Sequence, residues 1–595
     1  MINQEQLGML LRDYSYAYLG GLGHVLSNVF KGVDKDLESA CMNIHSEVYF
    51  SMVSLIALLS GVIPFTVLIL ALTNIIPLQA MFGINPIILI PVTLGVPIGV
   101  ILFSTMIPSM KASNRMSALG IEIPYASMYI SVMVSGGLSP FESFLRMRKM
   151  DLLPSMKDEV SRIETIVMST GVDPVSAMEQ AAKAVDIKDY KELLLGYASS
   201  VRTGGDTLHY LFNQTHNMFR SLTINVKGKG ETAGMLMEAY TIIGILGVLG
   251  IFLVFVVGMS LPTAGVSISP MQFFIFSFIV MPALSFLFIF AGDMSQFNYP
   301  VSNWKPYYVL FATLPFGILL ASQIVLPFFS ESFLRVPALY NMIIWLREAL
   351  NCAEGTEAAI GVTITLIFIA IPGWIADYYT AGRDGSIQDG ITQFLRDLVE
   401  VRKSGLSPEK SLEALAPRDY RGFSKYLKDI STKINWGYPL RQIYEEFASK
   451  VKNWIALVNI YLLIDTMEVG GGTEQSIESL AEFSESTKQL EAEKRAVLMP
   501  LVIVPYIGAA LLTGTTVMFL GFFTGSNLGV SVPQIMLYRT LLTPLAIHSF
   551  TLGLVTGKIV SGRVSSGFKH AVILSLVSLG GIWAVSNLNM GGGLI

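Results

Sequence analysis

Ser135-Gly136-Gly137-Leu138-Ser139-Pro140 returns later in the chain as Ser404-Gly405-Leu406-Ser407-Pro408, and two further pairs follow in step. Gly171-Val172-Asp173-Pro174 is answered by Gly437-Tyr438-Pro439, and Arg202-Thr203-Gly204-Gly205-Asp206 by Val469-Gly470-Gly471-Gly472-Thr473. The steps are 34 and 33 residues in the first copy (137 to 171 to 204), and 32 and 33 in the second (405 to 437 to 470). A repeat of this kind fixes the unit that folds. Glycine tolerates the left-handed conformation that ends a helix, and proline suits the first turn of the next one. Ser139-Pro140-Phe141-Glu142 also fits a capping box, while the second copy has Lys410 near that place. Between the landmarks, apolar residues such as Ile391, Phe394, Leu395 and Leu398, or Ile477, Leu480 and Ala481, keep helical spacing. The pattern predicts two all-helical bundles. Their turns fall at Gly137, Ser139, Pro140, Gly171, Gly204 and Gly205, and at Gly405, Ser407, Pro408, Gly437, Gly470 and Gly471. Residues of these types in these places are helix punctuation far more often than catalytic groups.

Around the bundles the chain is apolar: 52% of its 595 residues are hydrophobic and 14% charged, against about 25% charged in soluble proteins. Lipid must therefore cover much of the surface. Nine stretches reach the roughly 20 apolar residues that cross a bilayer, approximately 48–72, 86–109, 242–262, 271–292, 307–329, 357–380, 497–524, 541–559 and 569–588. With the N-terminus inside, 37 of the 40 Lys and Arg fall on the cytoplasmic side, leaving Arg335, Arg347 and Arg539 outside. That is the bias expected of cytoplasmic loops. The expected fold is all-α and polytopic. It has a cytoplasmic segment 1–47, spans one and two in 48–109, a first bundle 110–241, and spans three to six in 242–380. A second bundle 381–496, spans seven to nine in 497–588 and an external C-terminus 589–595 complete it. The formal charge of −4 gives no sign of a nucleic-acid partner.

This order resembles the inner-membrane platform proteins of type II secretion and type IV pilus machines, whose cytoplasmic unit is the type II secretion system F domain. The resemblance rests on the tandem Gly-Leu-Ser-Pro turns, the later double-glycine turns, and a bundle leading into each group of spans. The nine-span, two-bundle layout is most similar to the archaeal branch, which assembles archaella or pili. The acidic-glycine turn common in bacterial members appears as Glu468-Val469-Gly470-Gly471 in one copy and as Arg202-Thr203-Gly204-Gly205 in the other. The resemblance implies a non-enzymatic anchor: a hexameric secretion ATPase works against it while pilin-like or archaellin subunits leave the bilayer.

The residues point to no chemistry of their own. No Gly-x-x-x-x-Gly-Lys-Ser/Thr loop occurs, and Gly228-Lys229-Gly230-Glu231-Thr232 reads as a basic linker entering the third span. His209 and His216 lack the Cys or carboxylate pattern that completes a zinc site, so neither metal nor cofactor is expected. His548 lies inside the eighth span, where a neutral imidazole hydrogen-bonded within the bundle is the simpler reading. Gly244, Gly247 and Gly250 make a small-residue surface for packing within the chain or in a homodimer. A transporter or permease is the alternative class, but its repeats normally lie in the membrane. The basic clusters Arg146, Arg148 and Lys149, and Arg402, Lys403, Arg418 and Arg421, flank the matched turns and are the candidate ATPase contacts. Anionic lipid headgroups compete for the same charges.

Overall fold

The computed structural model describes residues 4–587 apart from 41, 43, 74–88, 261–269, 297–298, 302, 330–335, 471 and 526–533. Gly471, Cys41 and the C-terminal residues 589–595 therefore lie outside the described residues. Among the described residues every regular element is a helix, and nine helices are long and apolar enough to cross a membrane. The protein is an all-α, multi-pass membrane protein.

In chain order the helices begin with α1 (Gln4–Val29), α2 (Val33–Ser39), α3 (Ser46–Leu72) and α4 (Leu89–Ser135). The first bundle continues through α5 (Pro140–Arg146), α6 (Pro154–Thr170), α7 (Pro174–Ala184), α8 (Lys188–Thr203) and α9 (Thr207–Ser260). Then come α10 (Pro270–Ile275), α11 (Met281–Ser295), α12 (Lys305–Ile324), α13 (Pro337–Ala349) and α14 (Glu357–Lys403). The second bundle adds α15 (Pro408–Leu415), α16 (Ser424–Asn435), α17 (Leu440–Lys450), α18 (Trp454–Gly470) and α19 (Glu474–Leu498). The chain closes with α20 (Ile503–Gly525), α21 (Gln534–Ser561) and α22 (Gly567–Asn587).

The chain folds as two compact units, Met1–Glu122 and Ile123–Ile595. In the first, the segment ahead of the first span is itself helical. His24 meets Glu47 at 2.7 Å and Ser27 meets Ser46 at 2.7 Å, so α1 runs antiparallel to α3, while Val33, Leu37, Tyr49, Phe50 and Val53 form a small core.

In the second unit both bundles are built alike. Each outbound helix leaves the membrane side, ends on a left-handed glycine and hands over to a return helix, which carries a side-chain cap in every case but α17, where Pro439 stands at the cap. Positive φ falls at Gly137 (100°), Gly171 (68°) and Gly204 (69°), and at Gly405 (85°), Gly437 (77°) and Gly472 (62°). Leu138 N–H donates to Met133 O, Gly205 N–H to Ser200 O and Tyr438 N–H to Lys433 O, the long bond of a Schellman turn. The return helices are capped by Ser139 (from Glu142 N–H, 3.2 Å), Asp173 (from Ser176 N–H, 3.0 Å) and Asp206 (from His209 N–H, 3.0 Å). In the second copy Ser407 takes Lys410 N–H at 3.3 Å and Thr473 takes Ser476 N–H at 3.2 Å. One expectation is corrected here. Among the described residues the left-handed glycine of the last turn is Gly472, whereas Gly470 still belongs to α18. With three consecutive glycines, spacing alone does not select the one that reverses the chain.

Another correction concerns 228–232, which is no linker. It lies inside the unbroken 54-residue helix α9. Gly230 is needed there because a Cβ would run into Val497 of α19, and α9 packs alongside α19 at that point. Thus α4, α9 and α14 run without a break from membrane span to bundle, while α19 passes to α20 through a single 3-10 turn at Met499–Val502 that contains Pro500. The last two spans form a tight hairpin: a Cβ at Gly557 would run into the Gly567 backbone, and one at Gly553 into Ala571. Small residues let such backbones touch.

Candidate functional site: the seam and rim of the two bundles

The ends of the bundles farthest from the spans are made of the six left-handed turns and their caps. In the second bundle, Arg402 donates to the carbonyls of Leu406 and Gly472 (2.7 Å to the latter), which ties its first and third turns together. Arg202 of the first bundle reaches Ser176 at 3.2 Å and Glu179 at 3.0 Å, tying the third turn to the start of α7. Thr473 Oγ1 donates to Ser135 O at 3.4 Å, so the two sets of turns meet. The rims of the two bundles thus touch where the first turn of one meets the last turn of the other.

Beneath the rim the bundles share a seam. Phe483 of α19 is fully buried and stacks with Phe212 and Phe219 of α9, at 6.0 and 6.1 Å between centroids. Burying a side chain of that size contributes about 2–3 kcal/mol. The polar part of the seam centres on Asp465 of α18, whose side chain is 4% exposed. Its Oδ1 accepts from Arg146 Nε at 2.9 Å and Nη2 at 2.7 Å, and its Oδ2 from the Tyr129 hydroxyl at 2.5 Å. Arg146 also reaches Glu468 at 3.1 Å. Burial, and then the neighbouring Asp465, push the Tyr129 phenol above its ordinary range, which keeps its proton on as a donor; hydrogen bonding to Asp465 leads the upward shift of Arg146. Nearby, Arg441 donates to Lys149 O and to the Tyr461 hydroxyl, at 2.8 and 2.9 Å. Trp454 Nε1 donates to Leu152 O at 2.8 Å.

The candidate ATPase contacts are thus dispersed. Arg146 is in the seam. Arg148 pairs with Glu164 on the flank of its own bundle, and Lys149 is exposed beside it. Arg402 and Lys403 are at the rim, Lys403 paired with Glu478 at 3.0 Å. Arg418 and Arg421 lie lower on the second bundle, each 3.0 Å from its partner, Asp397 and Asp389. The equivalent corners expected of the two clusters do not coincide, because Arg146 is drawn across the seam by a buried carboxylate 319 residues away. Asp465 and Tyr129 were not singled out from the sequence. A carboxylate in the mostly apolar run Ile455–Met467, which otherwise holds only Asn459 and Thr466 as small polar residues, was the available signal.

Other predicted residues fall as follows. His216 lies 3.4 Å from Glu482 across the seam, and among the described residues no group of three or more His, Cys, Asp or Glu is gathered to hold a metal. His548 is buried beside Gly244 and Tyr240, but its Nδ1 makes no hydrogen bond among the described residues, unlike the bonded imidazole expected. Gly244 and Gly247 face side chains of their own chain, and Gly250 is open.

Comparison with known proteins agrees with this architecture. The family model described as "Type II secretion system (T2SS), protein F" matches residues 126–255 and 394–521, each covering most of one bundle and the span that leaves it. Two stretches of this multi-pass membrane protein are therefore similar to one and the same domain. An uncharacterized protein of Methanocaldococcus jannaschii is 21% identical over 509 residues, covering 80% of this chain and 82% of its own. No solved structure matches.

Proposed function

We propose that this chain is the non-enzymatic membrane platform of an archaeal pilus-like or archaellum-type machine. A hexameric secretion ATPase docks on the rim of turns while pilin-like subunits are drawn from the bilayer. The observation that carries this reading is the rim itself: two bundles of one repeated unit, joined side by side, present their turns away from the spans. Extraction needs a partner that supplies energy, since each methylene leaving lipid costs about 0.8 kcal/mol. The rim cations Arg402 and Lys403, with Arg148, Lys149, Arg418 and Arg421 on the flanks, offer the ATPase a charged border. Arg146 acts only through the seam. In this reading both bundles and the N-terminus face the cytoplasm and the C-terminus is external.

Charge at the border of an interface mainly sets association rate and salt dependence. In neutral-lipid nanodiscs, Arg148→Glu with Lys149→Glu, or Lys403→Glu with Arg421→Glu, is expected to weaken salt-sensitive ATPase binding with Arg146 left in place. Unchanged affinity in both variants overturns the docking assignment. Loss seen only with anionic lipid assigns those charges to headgroups. Labelling of Met168→Cys or Lys425→Cys in intact cells by an impermeant reagent would overturn the orientation.

A further inference from the structure

Spans three, six and seven move with the bundles because the same helices, α9, α14 and α19–α20, form both; α11 and α12, the fourth and fifth spans, have no such continuity. Tyr299, between them in the chain, nevertheless reaches the seam. We infer that Tyr299 is the pin that carries movement of the two bundles into the fourth and fifth spans.

The geometry is that of a joint held on three sides. Tyr299 donates its hydroxyl to Glu491 Oε1 of α19 at 2.5 Å. Its ring stacks on Trp454 at 4.9 Å with 18° between planes, and Lys494 Nζ stands 5.3 Å from its centroid. Trp454 is in turn tied to the first bundle, by its bond to Leu152 O and by Tyr125 edge-on at 4.6 Å. One aromatic ring thereby senses both bundles. A flat ring held by a stack, a cation and a charged acceptor has little freedom to slide. Residues to either side of Tyr299 in the chain are anchored to the C-terminal hairpin: Asp293 pairs with Lys558, Gln296 donates to Ile559 O, and Ser565 N–H donates to the Tyr307 hydroxyl at 3.2 Å. Tyr299 is within a few residues of both helices along the chain, so a displacement at the seam is passed to α11, α12 and the turn between α21 and α22. The use of this joint in filament assembly rests on the platform reading; the joint itself needs no partner.

The test uses full-length protein in nanodiscs without any ATPase, on a Cys41→Ser, Cys352→Ser background, so failure of the platform reading leaves it interpretable. Spin labels at Tyr308→Cys in α12 and Trp436→Cys on the second bundle occupy exposed positions, 66% and 71% accessible. A control pair, Met168→Cys with Trp436→Cys, reports the distance between the bundles. Tyr299→Ala is expected to broaden the 308–436 distance distribution and leave the 168–436 distribution narrow, with Tyr299→Phe in between because it keeps the stack. An unchanged 308–436 distribution overturns the inference. So does equal broadening of both pairs, which would make Tyr299 a packing residue of the seam. Where Tyr299→Ala does not yield folded protein, Glu491→Gln with Lys494→Met gives the same reading from the other side of the contact.

Discussion

In the first bundle Arg146 leaves its own domain and grips Asp465 of the second, whereas Arg402, Lys403, Arg418 and Arg421 of the second bundle all turn back onto their own domain. Counting from the turn prolines, the counterpart of Arg146 is Ala414; counting back from the last caps, the counterpart of Asp465 is Ala198. Neither half of the lock is repeated. Two copies of one skeleton are therefore joined by residues that occur once, so the bundles are not interchangeable partners in a symmetric pair. The repeated residues make the turns; the unrepeated ones decide what each bundle touches.

The largest effect expected from breaking this asymmetry is at the lock. Arg146→Ala leaves Asp465 buried without its cation, and removing one partner of a buried pair costs about 3–5 kcal/mol, toward the lower end here because Arg146 is 27% exposed. Denaturant unfolding in nanodiscs should show this loss, together with faster proteolysis between the bundles. Arg421→Ala, which breaks only an exposed pair, should cost less than about 1 kcal/mol. Equal losses would show that the seam is no more important than the surface.

Next in size is the last turn of the second bundle. Gly472→Ala forces a Cβ into a left-handed residue and should cost about 1–2 kcal/mol. Gly470→Ala lies in helix and should gain about 0.5–1 kcal/mol. The opposite signs, read from thermal unfolding, would return the turn to the register of the first copy if they came out reversed.

The smallest effect is acid sensitivity. Lys433 and Lys450 hold Glu446 down to about 2, below the ordinary carboxylate value, and so join α16 to α17. A depressed carboxylate contributes stability above its unfolded pKa, and that contribution fades as pH falls from about 4.5 toward 2. Its counterpart in the first bundle is the neutral Gln180, and there α6 is tied to α7 by Arg162 donating to the Ala181 carbonyl, a bond that acid leaves in place. Hydrogen exchange corrected for intrinsic rate should therefore loosen α16 and α17 before α6 and α7 between pH 5 and 3. Simultaneous loosening would contradict the comparison.

Much of this was legible in the sequence because it is local. Nine apolar runs, and glycines spaced to end helices, specify spans and turns through interactions within a few residues. What was not legible is non-local. Nothing around Arg146 distinguishes a solvated cation from one held by a carboxylate on a helix of the other bundle. Tyr299 sits in a segment with no motif, and its importance comes only from Trp454 and Glu491 meeting there. The Gly470-Gly471-Gly472 run fails for a different reason: each glycine is locally able to reverse the chain, and the fit of Gly472 against Pro408 and Ile477 accompanies the choice.

The hairpin of α21 and α22 has a consequence for biogenesis. Its two helices are joined by the short turn around Gly562 and touch through Gly553, Gly557 and Gly567, with backbone against backbone. A pair this close can form as soon as α22 has been synthesised, because the contacts between its two helices need no earlier part of the chain. The hairpin should thus enter lipid as a finished two-helix piece. The Lys558 side chain, held by Asp293 and by Gly562 O, would then be the latch that docks this late arrival onto spans already in place.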